Sequence, residues 1–298
     1  MESHLSKYFC VLDSDIICEL KTISHADRPD FNVSGINLSP NRRFHNHDGY
    51  EILIMLDGEM NYYTENNGKR IRPGDIICLA PYTFHCGVLL TPETYDRIVI
   101  NIRESVMKEL SSVKTDLSTC FHHSEQNKLN VFQVEPDQIM QFTDYALKLQ
   151  KALKSDEFGS DILSKIYIQQ VLLLLNQQLI CNDRIEYGDN LPASIADTFL
   201  YIEEHLTEKI TIQDLANNVH LNGTYLSRCF KKITGISIQQ YIIIKKINLA
   251  QRFLREGHPP SDVCDMVGFN NYSNFSRTFS KYAGSSPKQY QSISTNPF

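Results

Sequence analysis

One stretch of this 298-residue chain repeats itself 49 positions later, and that duplication constrains the fold more than any other feature of the sequence. Leu226-Ser-Arg228-Cys-Phe230-Lys-Lys232, followed by Gly235 and Ser237, returns as Phe275-Ser-Arg277-Thr-Phe279-Ser-Lys281, followed by Gly284 and Ser286. Asn222 returns as Asn271. In each copy the apolar residues fall at helical spacing, an arginine lies on the other face, and a glycine stands where the helix must stop. A short helix and a tight turn precede each copy. The pattern predicts two helix-turn-helix units, an arrangement that presents one helix to a DNA major groove. A single copy would also fit an αα-hairpin in any helical domain. Two copies in the same register argue against that reading.

The surrounding region supports an all-α domain over 195–293. Its helix-turn-helix units span 212–233 and 260–283. Thr211 with Asp214 forms a capping-box start for a helix ending near Val219, and Asn222 caps the next, Thr224 to Ile233. Ser237 and Gln240 open a long helix to about Arg255, with Ile243, Ile247, Ala250 and Leu254 as its buried stripe. At roughly 27 Å for about 18 residues, that helix can hold two reading helices near one DNA turn of roughly 34 Å. Net charge over the whole chain is −6, which at first argues against nucleic acid. From Leu191 onward, however, 11 Lys and Arg stand against 8 Asp and Glu, so this region carries +3 and the rest −9. The C-terminal region is therefore the candidate nucleic-acid surface, relying on placed arginines as much as on bulk charge.

The N-terminal region has a different period. Residues 31–103 read as short β segments, at Glu51–Leu56, Asn61–Thr64, Ile76–Ala80 and Arg97–Ile102, broken by Asn66-Asn67-Gly68 and Arg72-Pro73-Gly74-Asp75. Strands this short and this regularly spaced suggest a sandwich or barrel. The predicted domain covers 1–135, with a helical packing or dimerisation region at 136–181 and a polar linker at 182–194. The second helix of that region, about Asp161 to Ile180, is apolar on more than one face at Val171–Leu175. That pattern fits packing on the β domain or pairing with a second subunit.

His45-Asn-His47, Glu51 and Gly58 resemble the first motif of cupin barrels, and Pro73-Gly74-Asp75 with Pro81 and His85 loosely resembles the second. Two imidazoles two residues apart on a strand face one side, and His85 can approach from a later strand. His45, His47, Glu51 and His85 are thus candidates for an effector pocket. They would also make a plausible metal set, but the glycine expected before the first histidine is absent and the second motif is altered in spacing, so no metal or cofactor is assigned. Eight scattered cysteines with no CxxC pair fit reduced thiols. No signal peptide or membrane-spanning run is evident, so a cytoplasmic protein is expected.

Thr211-Ile-Gln-Asp-Leu-Ala216, Tyr225 through Lys232, Thr234-Gly235, Val267-Gly-Phe269, Phe275 through Phe279 and Gly284-Ser-Ser-Pro287 through Tyr290 together resemble the AraC/XylS family of bacterial transcription regulators. Cys264, where the family has alanine, and Pro260, where it has an aliphatic residue, are small departures. The resemblance implies an N-terminal all-β cupin-like barrel with flanking α-helices that senses a small molecule, followed by the all-α domain. It implies that the third and sixth helices of that domain enter successive major grooves. Their exposed faces carry Thr224, Ser227, Arg228 and Lys231, then Tyr272, Ser273, Asn274 and Arg277. It further implies a homodimer that activates carbohydrate-related genes, with double-stranded DNA, a sugar-like effector and RNA polymerase as partners. The rival reading is a cupin metalloenzyme fused to a DNA-binding module.

Overall fold

The computed structural model describes residues 9–10, 14–23, 44–65, 67–90, 95–121, 130–181 and 191–295. Asn66, the histidine pair at 122–123 and most of the linker lie outside the described residues. The N-terminal half holds strands β1 (Phe9–Cys10), β2 (Ile16–Ile23), β3 (Asn46–His47), β4 (Gly49–Asp57), β5 (Met60–Thr64), β6 (Gly68–Ile71), β7 (Asp75–Leu79), β8 (His85–Leu89), β9 (Tyr95–Arg103) and β10 (Asn130–Gln133). Its helices are α1 (Glu104–Leu110), α2 (Pro136–Leu153) and α3 (Ser160–Cys181). The C-terminal half holds α4 (Ala193–Glu204), α5 (Ile212–Asn218), α6 (Gly223–Thr234), α7 (Ile238–Arg255), α8 (Pro260–Met266), α9 (Tyr272–Ala283) and α10 (Pro287–Thr295). The chain forms two compact units, one β-rich with flanking helices and one built mainly of helices, as the sequence pattern leads one to expect.

In the β-rich unit a five-stranded antiparallel sheet, β10-β7-β4-β9-β2, faces a three-stranded one, β6-β5-β8. β4 shows why the sequence here reads as a nearly unbroken apolar run. Ile52 and Ile54 pack into a core shared with Phe142, Ala146 and Leu149 of α2 and Ile168, Val171, Leu172 and Leu175 of α3. Leu53 and Met55, pointing the other way, meet Met60, Tyr62 and Ile71 of the opposing sheet. A strand buried on both faces has no polar side to show. β2 and β10 fall outside the span read as β from sequence. β2 is an edge strand with Leu20 exposed, and β10 is four residues long.

Three details refine the expectations drawn from sequence. Gly68, grouped in sequence with the Asn66-Asn67-Gly68 break where an Asn-Gly turn favours a positive φ, lies in β6 without one. It is small because a Cβ there would sit 2.6 Å from the Tyr63 ring. On α3, Val171, Leu172 and Leu175 are turned into the core of their own unit, and the exposed apolar residues are Ile162, Leu163, Ile166 and Leu173. Finally, Phe44 clusters with the helical unit. It is fully buried there, stacked on Phe199 at 5.6 Å, and its N–H donates to the Thr234 carbonyl at the end of α6.

The helical unit is built on the duplication. Asn222 and Asn271 accept from backbone N–H groups in the first turns of α6 and α9, and Gly235 and Gly284 end both helices in the left-handed conformation. Ser237 with Gln240 and Ser286 with Gln289 make matching capping boxes. Each helix-turn-helix closes through the same backbone bond, Leu221 N–H to Ala216 O and Phe269 N–H to Cys264 O. The left-handed residue that permits it is His220 in one copy and Gly268 in the other. Phe230 packs against Phe199 and Tyr241 in the first unit, and Phe279 against Phe275 and Tyr290 in the second.

Candidate effector site and nucleic-acid interface

Inside the β-rich unit, Glu51 lies on the same face of β4 as Leu53 and Met55, which lets the alternation of the strand carry a carboxylate into an apolar interior. It is 7% exposed. The His47 Nε2 lies 2.9 Å from Glu51 Oε2, the Tyr62 hydroxyl donates to Oε1 at 3.3 Å, and His85 Nε2 lies 3.8 Å from Oε1. Tyr62 stacks on His85 with ring centroids 5.8 Å apart, and the two imidazoles meet edge to face at 5.3 Å. The His85 Nδ1 faces the Thr83 carbonyl at 2.9 Å, which directs Nε2 towards the carboxylate.

The protonation of this cluster follows from its contacts. Both His47 nitrogens face oxygen acceptors, Nδ1 the Gly49 carbonyl at 2.9 Å and Nε2 the Glu51 carboxylate. Two oxygen neighbours favour a proton on each nitrogen and so the charged form of the ring. Burial by itself disfavours that charge, but the hydrogen bond and charge of Glu51 outweigh it and raise the pKa above the usual imidazole value. Burial, and then the Glu51 charge, push the Tyr62 phenol well above its ordinary range, so Tyr62 remains a donor. A buried carboxylate ringed by donors of both kinds can hold a ligand rich in hydroxyls by exchanging partners with it.

Of the four pocket residues expected from sequence, the structure gathers His47, Glu51 and His85, whose ligand-type atoms all lie within 4.8 Å of one another. His45 is absent from that group. It is half-buried and clusters with the helical unit, whereas Asn46 next to it donates to the Tyr82 carbonyl at 3.1 Å. The fourth member of the constellation is Tyr62, which sequence reasoning passed over. Its signal is weak: a tyrosine at an inward position of β5, between Met60 and Thr64.

On α6, burial of Leu226 and Phe230 turns Thr224, Arg228 and Lys231 to solvent and leaves Ser227 half-buried. On α9, burial of Phe275 and Phe279 leaves Tyr272, Ser273, Asn274 and Arg277 exposed. Tyr225, 52% exposed, and Lys232 share the face of Arg228 and were not selected from sequence, although 225, 228 and 232 follow helical spacing. Among the described residues, no helix is long and apolar enough to cross a membrane.

Comparison with known proteins agrees with both halves. Residues 33–172 match the family model described as an AraC-like ligand binding domain, and residues 215–293 match a helix-turn-helix domain. The uncharacterized HTH-type transcriptional regulator YfiF of Bacillus subtilis is 25% identical over 262 residues, spanning 85% of this chain and 80% of that protein. The melibiose operon regulatory protein of Escherichia coli K12 is 23% identical over 263 residues, spanning 84% and 83%. YobQ of Bacillus subtilis, another uncharacterized HTH-type regulator, is 41% identical over 100 residues, spanning 33% and 40%.

The His47–Glu51 pair sets a pH dependence. Because the folded-state pKa of His47 is raised, the folded protein holds more protons than the unfolded chain between the two values. Its stabilisation is complete below the unfolded value, roughly 6.5, and is lost as pH rises through the folded one. Each tenfold gain in proton affinity contributes roughly 1.4 kcal/mol. Urea melts of the β-rich unit between pH 6 and 9 are expected to weaken with rising pH in wild type and to flatten in Glu51→Gln. Parallel profiles for the two proteins would refute this account of His47.

Proposed function

Because the chain belongs to the AraC/XylS family of transcription regulators, we propose that α6 and α9 are its two reading helices and that Glu51, with His47, His85 and Tyr62, is the polar centre of its effector site. The protein is a DNA-binding transcription regulator with a ligand-binding domain, not an enzyme. Where DNA is reached without crossing a membrane, the working compartment is the cytoplasm.

The observation that carries the DNA reading is the pair Arg228 and Arg277, exposed at equivalent positions of two helices capped and ended alike. Arginine pairs bidentately with guanine and Asn274 can pair with adenine, while Thr224, Ser227, Tyr272 and Ser273 read less stringently or hold phosphate. Lys231 completes the phosphate clamp of the first helix, with Tyr225 and Lys232 on its flank. Sites selected from a random pool with Arg228→Ala and with Arg277→Ala are expected to lose preference at one distinct position each, the two about 10 base pairs apart. The cost should be roughly 1–3 kcal/mol at the affected base pair. Uniform weakening with the preferred sequence intact would make both arginines phosphate clamps.

The effector is read as a carbohydrate whose genes the protein activates through contact with RNA polymerase. Support comes from a buried carboxylate with phenol and imidazole partners, which suits hydroxyl-rich ligands, and from the kinship with a melibiose operon regulator. In a thermal-shift panel of mono- and disaccharides, at least one sugar should stabilise wild type and leave Glu51→Gln unmoved. A panel without effect, alongside stabilisation by apolar acids, would reverse the assignment of ligand class.

We read the protein as a homodimer through the outer face of α2 and α3. Ile162, Ile166 and Leu173 lie on one exposed side of α3, and Met140 and Leu147 on one exposed side of α2. Since none of these supports the core, Ile162→Glu with Ile166→Glu is expected to keep the circular dichroism spectrum and melting temperature but to sediment as a monomer. A dimer that survives both changes would place the interface elsewhere.

A further inference from the structure

The spacer helix α7 carries a lysine that an ordinary helix packing would not contain. Lys246 is 8% exposed, and among the described residues no other Lys or Arg is buried. Its neighbour Lys245 pairs with the Glu203 carboxylate at 2.7 Å, but Lys246 reaches backbone oxygens instead. Its Nζ donates to the Gly268 carbonyl at 2.9 Å and to the Glu208 carbonyl at 3.2 Å, beneath the Phe269 ring at 5.9 Å. Glu208 lies in the loop that leads into the first helix-turn-helix, between α4 and α5. Gly268 is the left-handed residue in the turn of the second, between α8 and α9.

A second observation points to the same junction. A Cβ at Gly268 would lie 1.9 Å from the Thr207 carbonyl oxygen and 2.9 Å from the Lys246 Nζ. The loop at Thr207–Glu208 and the turn at Gly268 therefore meet backbone to backbone, closer than any side chain allows, and one ammonium bonds both. Burying a charge on two neutral carbonyls is an expensive way to hold helices together, and an apolar residue would pack with less desolvation. Burial also lowers the lysine's pKa, as that desolvation requires. What the ammonium supplies and an apolar residue cannot is direction, because it holds two specific carbonyls at hydrogen-bond distance from one nitrogen.

We propose that Lys246 is the positioning residue that sets the separation and phase at which α6 and α9 meet DNA, by locking the turn of the second helix-turn-helix to the loop that leads into the first. The clamp lies away from the reading faces, so it governs where the two helices sit and not which bases each prefers. This rests on α6 and α9 entering successive grooves. Each extra base pair between their half-sites moves one of them by roughly 3.4 Å and turns it by about a tenth of a helical turn. A rigid pair of readers cannot follow that movement, whereas a loosened pair can.

The test uses the full-length protein and a site selected from a random pool by wild type, together with versions carrying one base pair inserted or deleted between the half-sites. Wild type should lose about tenfold or more in affinity on either change. In Lys246→Met, which retains length and apolar stem but no donor, the penalty should shrink to about threefold or less, with half-site sequence preferences unchanged. Lys246→Arg keeps charge and donors on a longer, planar head, and its preferred spacing should shift while its penalty stays steep. Circular dichroism and melting temperature accompany each variant. Folded variants that keep both the spacing and the penalty of wild type overturn the proposal. So does loss of folding in both, which would make Lys246 a stability residue only. A wild type indifferent to insertion would instead fail the two-groove reading itself, whereas distinct positions lost by Arg228→Ala and Arg277→Ala would uphold it.

Discussion

The direction of Arg228 and Arg277 is decided by what lies two residues to either side of them. At 100° per residue, a helix that buries Leu226 and Phe230 must hold Arg228 on the far side, and burial of Phe275 and Phe279 does the same for Arg277. Fully burying a phenylalanine contributes roughly 1.5–3 kcal/mol, so the rotation of each helix about its axis is set by its aromatic anchors and not by any charge. The rest of the helical unit serves that constraint. The asparagine caps fix where α6 and α9 begin, the left-handed glycines fix where they end, and the closed turns fix how the short helices cross them.

The β-rich unit meets the opposite problem, a polar group that must be held inside. Its five-stranded sheet is covered by α2 and α3 on one face and by the three-stranded sheet on the other, so every inward position is costly for a charge. Glu51 occupies one of those positions because His47, Tyr62 and His85 surround it, and the raised proton affinity of His47 compensates the carboxylate. The same donors that make the carboxylate tolerable inside the sheets are the groups a ligand at the proposed site would exchange with. On the proposed effector site, structural compensation and ligand recognition would fall to the same residues.

Much of the helical unit was legible because its determinants are local. Capping oxygens bond amides two or three residues away, apolar stripes repeat every three or four residues, and stop glycines follow directly. Less of the β-rich unit could be read. The run on β4 indicated a strand but not that both faces are buried, and β2 and β10 pair with partners far along the chain. The histidine pair at 45 and 47 has the spacing of one strand face, yet the chain divides between them. Phe44 and His45 belong with the helices, and His47 with Glu51. Spacing in sequence says which side chains could face together, not whether the strand continues through both.

The sequence by itself determined which residues form α6 and α9, where those helices start and stop, and which face of each is left to solvent. All of these follow from backbone geometry and from side-chain period over a few residues. Only the tertiary structure decided which distant groups share a site. It joined His85 and Tyr62 to Glu51, turned Val171, Leu172 and Leu175 inward on α3, and seated Phe44 against Phe199. It also brought the carbonyls of Glu208 and Gly268 to a single buried lysine. No local pattern announces such meetings, because their energy arises from desolvation and packing between segments that are neighbours only once the chain has folded.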